Sequence, residues 1–146
     1  MHIEESIDVR APREEVWRFV SQPELYEEFM FGSHWSPVNG EPTSGPRARF
    51  QISIEVRSID LGGVVEVVEW DPPHEFTWTS ITGIDQRGRW ILRDCPTGTK
   101  ATVRASYQVP GGVLALIATQ LSKPLIRRDL RRSLAALKEA VEGGAR

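Results

Sequence analysis

The residues of this chain that could do chemistry are few and stand apart from one another. Its three histidines, His2, His34 and His74, lie far apart in the sequence, and none is three or four residues from another. The only cysteine is Cys95. Zinc sites are usually built from Cys and His ligands at short, regular spacing. We therefore expect no metal ion, and nothing in the sequence indicates another cofactor.

Motifs of covalent catalysis and of phosphate binding are also missing from the sequence. There is no G-x-S-x-G motif. The glycine pairs at 62–63, 111–112 and 143–144 lack the Lys and Ser/Thr of a phosphate-binding loop. Cys95 lies in the turn-like segment DCPTGTK without an activating neighbour, so we interpret it as a structural thiol. The sequence assigns no catalytic residue.

The charge distribution excludes a general nucleic-acid binder, because the formal net charge is −2. One dense basic cluster stands near the end of the chain. It has two interpretations: a solvated helix face, or a site for an anionic partner. We expect its members to pair, within the molecule or between subunits, with an acidic group near the start of the chain. The basic residues are Lys123, Arg127, Arg128, Arg131 and Arg132, and the acidic ones are Glu14, Glu15, Glu24, Glu27 and Glu28.

Length, cysteine content and the first residues predict where the protein works. A chain of 146 residues predicts a single domain, residues 1–146. One cysteine allows no intramolecular disulfide, which fits a reducing compartment. The start, MHIEESIDVRAP, lacks the charged and apolar regions of a signal peptide. No apolar run approaches 18 residues, so we expect no transmembrane segment and a cytoplasmic protein.

Six strand-like runs with hairpin-sized gaps fill the middle of the chain. The clearest is RARFQISIEVRSI, where Phe50, Ile52 and Ile54 alternate with polar residues, as in a half-buried strand. Gly62-Gly63 predicts a hairpin turn. The run 64–70 has valines on both faces, so its facing stays unassigned. A short strand at 35–38 is a further candidate.

Helical patterns bracket these strands. One follows Pro12, a second short helix is predicted from Glu24 to Phe31, and one long helix runs to Gly143-Gly144. In the long helix Pro124 predicts a kink or a break. A long helix laid across an antiparallel sheet tends to leave a hole lined by apolar side chains, which is a place for a ligand. The apolar face of this helix is marked by Leu130, Leu134, Leu137 and Val141.

Four local sequences, taken together with this order of elements, resemble a known family. They are I.V.APREEVWRFVSQPELY, VVEWDPPHEFTWT, GRWILRD followed by GTKATVRASYQV, and RRDLRRSLAALKEAVEG. The chain is similar over essentially its whole length to the START-related superfamily, in the branch labelled polyketide cyclase/dehydrase and lipid transport. The matching residues, such as Pro12, Trp17 and the turn 71–73, are features of the fold rather than of chemistry.

The resemblance implies an α+β, helix-grip fold (START/Bet v 1-like). A seven-stranded curved antiparallel sheet would wrap around the C-terminal helix, with two short helices after the first strand and a hydrophobic cavity inside. On this basis Trp78, Trp90 and Tyr107 are the best candidates for cavity walls, and Tyr107 and Gln120 for polar groups that orient a ligand. The full set of expected ligand-binding residues is Phe50, Ile52, Ile54, Trp78, Trp90, Tyr107, Leu116 and Gln120.

Three functions remain open from the sequence. The first is binding or carrying a small hydrophobic molecule, lipid- or polyketide-like, in the cavity. The second is a polyketide cyclase, aromatase or dehydratase, in which Tyr107 or a neighbouring Arg polarises a carbonyl group. The third is a partner-binding module whose cavity is filled by its own side chains. A homodimer is a candidate assembly, and the sequence names neither the ligand nor the pathway.

Overall fold

The chain forms one antiparallel sheet, two α-helices and a 3-10 helix. The computed structural model describes residues 2–56, 59–108 and 112–143, and within them all side chains except those at 55–61 and 112–122. The elements in chain order are β1 (His2–Val9), α1 (Arg13–Val20), a 3-10 helix (Pro23–Glu28), β2 (Ser33–Pro37), β3 (Arg49–Val56), β4 (Ile59–Asp71), β5 (Glu75–Ser80), β6 (Asp85–Cys95), β7 (Gly98–Gln108) and α2 (Gly112–Gly143).

The strand order is β1-β7-β6-β5-β4-β3-β2, with antiparallel pairing throughout. The predicted seven-stranded helix-grip architecture is confirmed: the sheet curls and carries the long C-terminal helix α2. β1 and β2 follow each other in sequence yet occupy opposite edges of the sheet. The connection between them, which contains α1 and the 3-10 helix, therefore crosses from one edge to the other.

The two short helices begin at prolines and bury small apolar faces. Pro12 precedes α1, Glu14 and Glu15 occupy its first turn, and Val16 and Val20 are fully buried. The second short helix was predicted over 24–31. It is instead a 3-10 helix, Pro23–Glu28, that ends where the Phe29 and Met30 amides both donate to the Tyr26 carbonyl. The buried Tyr26 hydroxyl donates to the Val20 carbonyl and ties this helix to the end of α1.

The prediction of a hairpin turn at Gly62-Gly63 is wrong. Both glycines lie inside β4, paired with Ser53 and Ile52 of β3. Glycine is needed at position 63 for a different reason. A Cβ atom there would stand 2.1 Å from the carbonyl oxygen of Thr82 in the loop that follows β5. The glycine pair marks a close approach of two backbones rather than a reversal of the chain.

A β-bulge explains why the facing of 64–70 could not be assigned from sequence. The pairing of β4 with β5 shifts between Val67 and Glu69. Val65 and Val67 are buried, Val68 is 43% exposed, and Trp70 is turned back inward against Trp17, with ring centroids 5.2 Å apart. The extra residue changes the phase of the alternation midway along the strand.

The apolar face of α2 covers the inner face of the sheet. The four residues predicted to form this face are all buried, and Leu137 has no exposed surface. Helix α2 is assigned without interruption from Gly112 to Gly143. Pro124 lies inside it, so of the predicted kink or break the break does not occur.

Two arginines of the basic cluster attach α2 to the first strand. Arg127 Nη1 and Arg131 Nε lie 3.1 and 3.2 Å from the same carboxylate oxygen of Glu5, a side chain that is 13% exposed. Their partner is thus on β1, and the expectation of pairing with the acidic group at 14–28 is wrong for these two residues. Arg132 lies instead over the Phe31 ring, 4.3 Å from its centroid.

The packing of α2 gives a direct test. Replacing Leu134, which is 2% exposed, by Ala should lower the free energy of unfolding by about 2–5 kcal/mol, because a cavity is left in the core. Arg128→Ala, on the exposed side of the same helix, should change it by less than about 0.5 kcal/mol. Urea unfolding followed by circular dichroism measures both, and equal losses would contradict the observed helix phase.

Candidate functional site

A cavity lies between the inner face of the sheet and α2. It encloses about 50 Å³ of space in which the centre of a water molecule fits. Side chains from five strands, from α2 and from the segment before β2 contribute to its walls. The described lining residues are Met30, Phe31, Gly32, Ser33, Trp35, Ile52, Ile54, Trp78, Gln86, Trp90, Val103, Ala105, Tyr107, Ile126, Asp129 and Leu130.

Three tryptophans form the aromatic part of the wall. Trp35 and Trp78 meet edge to face, with ring centroids 5.2 Å apart, and Trp90 is 1% exposed. Trp78 occupies the space above Gly88 on the neighbouring strand. A Cβ atom at Gly88 would lie 2.0 Å from Cζ2 of the Trp78 ring, so the glycine fixes where this ring can lie.

Two buried polar atoms on the cavity wall have no hydrogen-bond partner. Among the described residues, the buried side-chain atoms without a partner are Gln86 Nε2, Ser33 Oγ and His74 Nδ1. Gln86 and Ser33 both line the cavity, and Gln86 is only 2% exposed. His74 lies elsewhere, in the turn between β4 and β5. An unpaired buried polar group costs about 1–3 kcal/mol, so a hydrogen-bond partner inside the cavity would stabilise both groups.

Tyr107 and Asp129 add an acid and a base to the lining. Tyr107 on β7 is the direct cross-strand neighbour of Gln86. Burial raises the pKa of the Tyr107 phenol to about 12, so the hydroxyl keeps its proton at neutral pH. Asp129 reaches the cavity from α2. Its carboxylate lies against Gly32, where a Cβ atom would be 2.5 Å from Oδ2.

The segment Met30–Ser33 forms the rim of the cavity and rests on α2. The Phe31 side chain is 39% exposed. Its backbone amide donates a hydrogen bond to Ser133 Oγ at 2.8 Å, and the Arg132 guanidinium lies over its ring. Gly32 has a φ of 80°, a conformation that favours glycine. Both this conformation and the nearby Asp129 carboxylate exclude a side chain at position 32.

The structure brings five of the eight predicted ligand-binding residues together on the cavity wall: Ile52, Ile54, Trp78, Trp90 and Tyr107. Phe50 is not among the described lining residues. It is 1% exposed and packs in the core beside Trp35, with ring centroids 5.9 Å apart. Leu116 and Gln120 lie on α2 in the part whose side chains are outside the described residues. That any of these residues binds a ligand remains a prediction.

Sequence reasoning missed several lining residues, although some of them carried a readable signal. Gln86 is two positions before Gly88 and four before Trp90 on the same strand, so the inward alternation of β6 includes it. Ile126 lies on the backward extension of the α2 apolar stripe. Asp129 and the segment Met30–Ser33 gave no signal, because their place at the cavity depends on how the rim rests on α2.

Two kinds of feature are absent from the described residues. No three His, Cys, Asp or Glu side chains come together there as a possible metal site. No helix in the described part of the chain is long and apolar enough to cross a membrane.

Comparison with known proteins identifies the family. The model of the family described as polyketide cyclase / dehydrase and lipid transport matches residues 1–142. The chain belongs to this family. No functionally curated protein matches the sequence.

Solved structures similar to this family member share its fold along the whole chain. Protein TTHA0849 from Thermus thermophilus superposes with a TM-score of 0.83 at 19% identity, covering 100% of both chains. The Zhui aromatase/cyclase from Streptomyces sp. R1128 gives 0.79 at 13% identity, covering 100% of this chain and 96% of the other. The di-domain aromatase/cyclase BexL of the BE-7585A biosynthetic pathway gives 0.72 at 16%, covering 97% of this chain and 50% of the other. At these identities the likeness shows the fold alone.

The burial of Tyr26 and Tyr107, the only two tyrosines, predicts an unusual alkaline titration. Burial raises the pKa of both phenols, that of Tyr107 to about 12. Absorbance at 295 nm at pH 10 should therefore show far less than the half-ionisation expected of free tyrosine. Because the folded state holds these protons more tightly, the associated stability is intact below about pH 10 and falls as the pH rises towards 12.

The unfolded protein in guanidinium chloride is the control and should titrate near pH 10. Tyr107→Phe should remove one of the two late transitions. A folded protein that titrates with both midpoints near pH 10 would contradict the burial of these phenols.

Proposed function

We propose that the protein binds a small, mostly apolar molecule in the cavity between sheet and helix, and carries it. One observation bears most of this proposal: two unpaired polar atoms, Gln86 Nε2 and Ser33 Oγ, lie on the wall of an otherwise largely apolar cavity. Ligand sites commonly combine apolar walls with a few polar groups that fix orientation. The family, whose description includes lipid transport, supports the same proposal.

The size of the cavity sets a condition on binding. About 50 Å³ is less than the roughly 150 Å³ of a cavity that takes up benzene. A ring-containing ligand therefore requires part of the wall to move. The rim segment Met30–Ser33 is the best candidate for this movement, because it lies outside regular structure for most of its length and Phe31 is already exposed.

The driving force for binding would be burial of apolar surface. A ligand that buries about 200 Å² of apolar area gains roughly 5 kcal/mol at 25 cal/mol per Å². Part of this gain offsets the loss of translational and rotational freedom. Hydrogen bonds to Gln86 and Ser33 would then contribute to affinity as well as to orientation.

Filling the cavity tests this function. Ala105 is 5% exposed, faces inward and lines the wall. In Ala105→Leu the larger side chain should occupy the space and weaken binding of an apolar fluorescent probe at least ten-fold. Probe emission and quenching of tryptophan fluorescence measure the affinity. Ser106→Leu, with added bulk on the opposite face of the same strand, is the matched control and should bind as the unaltered protein does.

If a natively folded sample binds no apolar probe, the carrier proposal fails and the third function, a partner-binding module with a filled cavity, is favoured. Native mass spectrometry of protein purified from its own host then gives an independent check. A co-purifying lipid or polyketide would restore a ligand-binding function.

A second candidate function is cyclisation or aromatisation of a polyketide. Two solved structures with this fold are named as aromatase/cyclases. The cavity also holds a protonated phenol, Tyr107, and a carboxylate, Asp129. A phenol that keeps its proton could donate a hydrogen bond to a substrate carbonyl, and a carboxylate could accept a proton from the adjacent carbon.

Tyr107→Phe separates the carrier from the enzyme. A carrier loses one neutral hydrogen bond, worth about 0.5–1.5 kcal/mol, so ligand affinity should stay within a few-fold to roughly ten-fold. An enzyme loses a donor that stabilises developing charge, which typically costs about 10²–10³ in rate. We expect the first outcome. Turnover of a polyketide substrate that collapses in the variant while binding persists would establish the cyclase instead.

A further inference from the structure

The charges around the cavity constrain what it can hold. Asp129 is the one formally charged side chain among the described lining residues. The first turns of α2, Gly112–Ser122, contain no Arg, Lys or His in the sequence. The side chains of that stretch, although outside the described residues, therefore bring no positive charge to the site.

Arg127, Arg131 and Arg132 of α2 are not among the described lining residues, and each contacts another group. Arg132 lies over the Phe31 ring, and Arg127 and Arg131 share the carboxylate of Glu5. A carboxylate or phosphate ligand would leave water for an apolar space without a counter-ion, and would approach the Asp129 carboxylate as well. Both effects disfavour an anion inside the cavity.

The two unpaired polar atoms indicate which polar groups a complementary ligand would carry. Gln86 Nε2 is a hydrogen-bond donor without an acceptor, on a side chain that is 2% exposed. A ligand carbonyl or ether oxygen supplies that acceptor. Ser33 follows Gly32 in the chain and the Asp129 carboxylate lies against Gly32, so both can accept a hydrogen bond from a ligand hydroxyl group.

Gln86 and Ser33 come from separate strands of the sheet. Gln86 is on β6, whereas Ser33 is on β2, and three strands separate β6 from β2 in the sheet. The curl of the sheet places both on the lining of one cavity. A ligand that satisfies both must carry oxygen functions at two separated positions of an apolar framework.

We propose that the cavity selects uncharged ligands bearing carbonyl and hydroxyl groups over carboxylates, with Gln86 as the donor to the carbonyl oxygen and Asp129 as the residue that excludes anions. This inference rests on the proposed ligand-binding function and narrows its ligand class. The proposed selectivity favours neutral, oxygenated molecules over fatty acids and anionic lipids, although both kinds of ligand have apolar surface to bury.

A matched pair of probes tests the selectivity. 2-Acetylnaphthalene and 2-naphthoate have nearly the same size and shape, but only the second is charged at neutral pH. Displacement of a bound apolar fluorophore should show the ketone binding at least ten-fold more tightly than the acid. In Asp129→Asn this ratio should fall several-fold, because the repulsion is removed while the side-chain shape is kept.

The role of Gln86 is tested by Gln86→Met, which keeps the length of the side chain and removes the amide. Affinity for 2-acetylnaphthalene should fall about ten-fold, whereas affinity for the hydrocarbon 2-ethylnaphthalene should stay within about two-fold. Gln51→Met, on the exposed face of β3, is the control and should change neither affinity. Circular dichroism and urea unfolding verify that each variant is folded.

The outcomes distinguish this inference from the proposed function. Equal affinity for ketone and acid would overturn the selectivity while leaving the binding function intact. An equal loss for ketone and hydrocarbon in Gln86→Met would overturn the hydrogen-bonding role of Gln86. Absence of binding for every probe, including the fluorophore, would remove the binding function itself and the inference with it.

Discussion

The inner face of the curled sheet has to be covered, and α2 is the element that covers it. A helix is a stiff cylinder, whereas the sheet curves beneath it, so contact cannot be equally close along the whole helix. Near Leu134 and Leu137 the fit is tight and these side chains are buried. One to two turns earlier, at Ile126 and Leu130, the same stripe borders the cavity. One helix face therefore stabilises the fold at one end and borders a cavity at the other.

The sequence predicted the architecture well, because periodic patterns report which face of an element is buried. In the structure, the alternating apolar residues of β3 and the regularly spaced leucines of α2 are buried, as predicted. Where prediction failed, the cause was a contact between distant segments. Gly62-Gly63 has the composition of a turn, but Gly63 is required by a loop that lies about twenty residues further along the chain. A local pattern contains no information about that approach.

The site was predictable only in part, for a related reason. Aromatic and aliphatic residues of the strands, such as Trp78 and Ile52, followed from alternation together with the family resemblance. Gln86 lies on the buried face of β6 with Trp90, but it was missed because a polar residue gives no signal in a pattern defined by apolar residues. Asp129 could not be found from the sequence, because its position on α2 is ordinary for a charged residue. It lies on the cavity wall only because the rim segment Met30–Ser33 packs beside it. The polar groups of the cavity lining were thus the hardest residues to predict from the sequence.

The bulge in β4 has a consequence for how this chain can tolerate changes in length. Because Val68 adds one residue to the strand, everything after it is displaced by one face, and this is what turns Trp70 towards Trp17 and Phe76. Loss of the Val68 codon would leave a regular strand in which Val67, Glu69 and Trp70 keep their partners on β5, so Trp70 would stay on the inner face. Among homologues, deletion of this one exposed residue should therefore be tolerated, because the pairing on either side of it is kept.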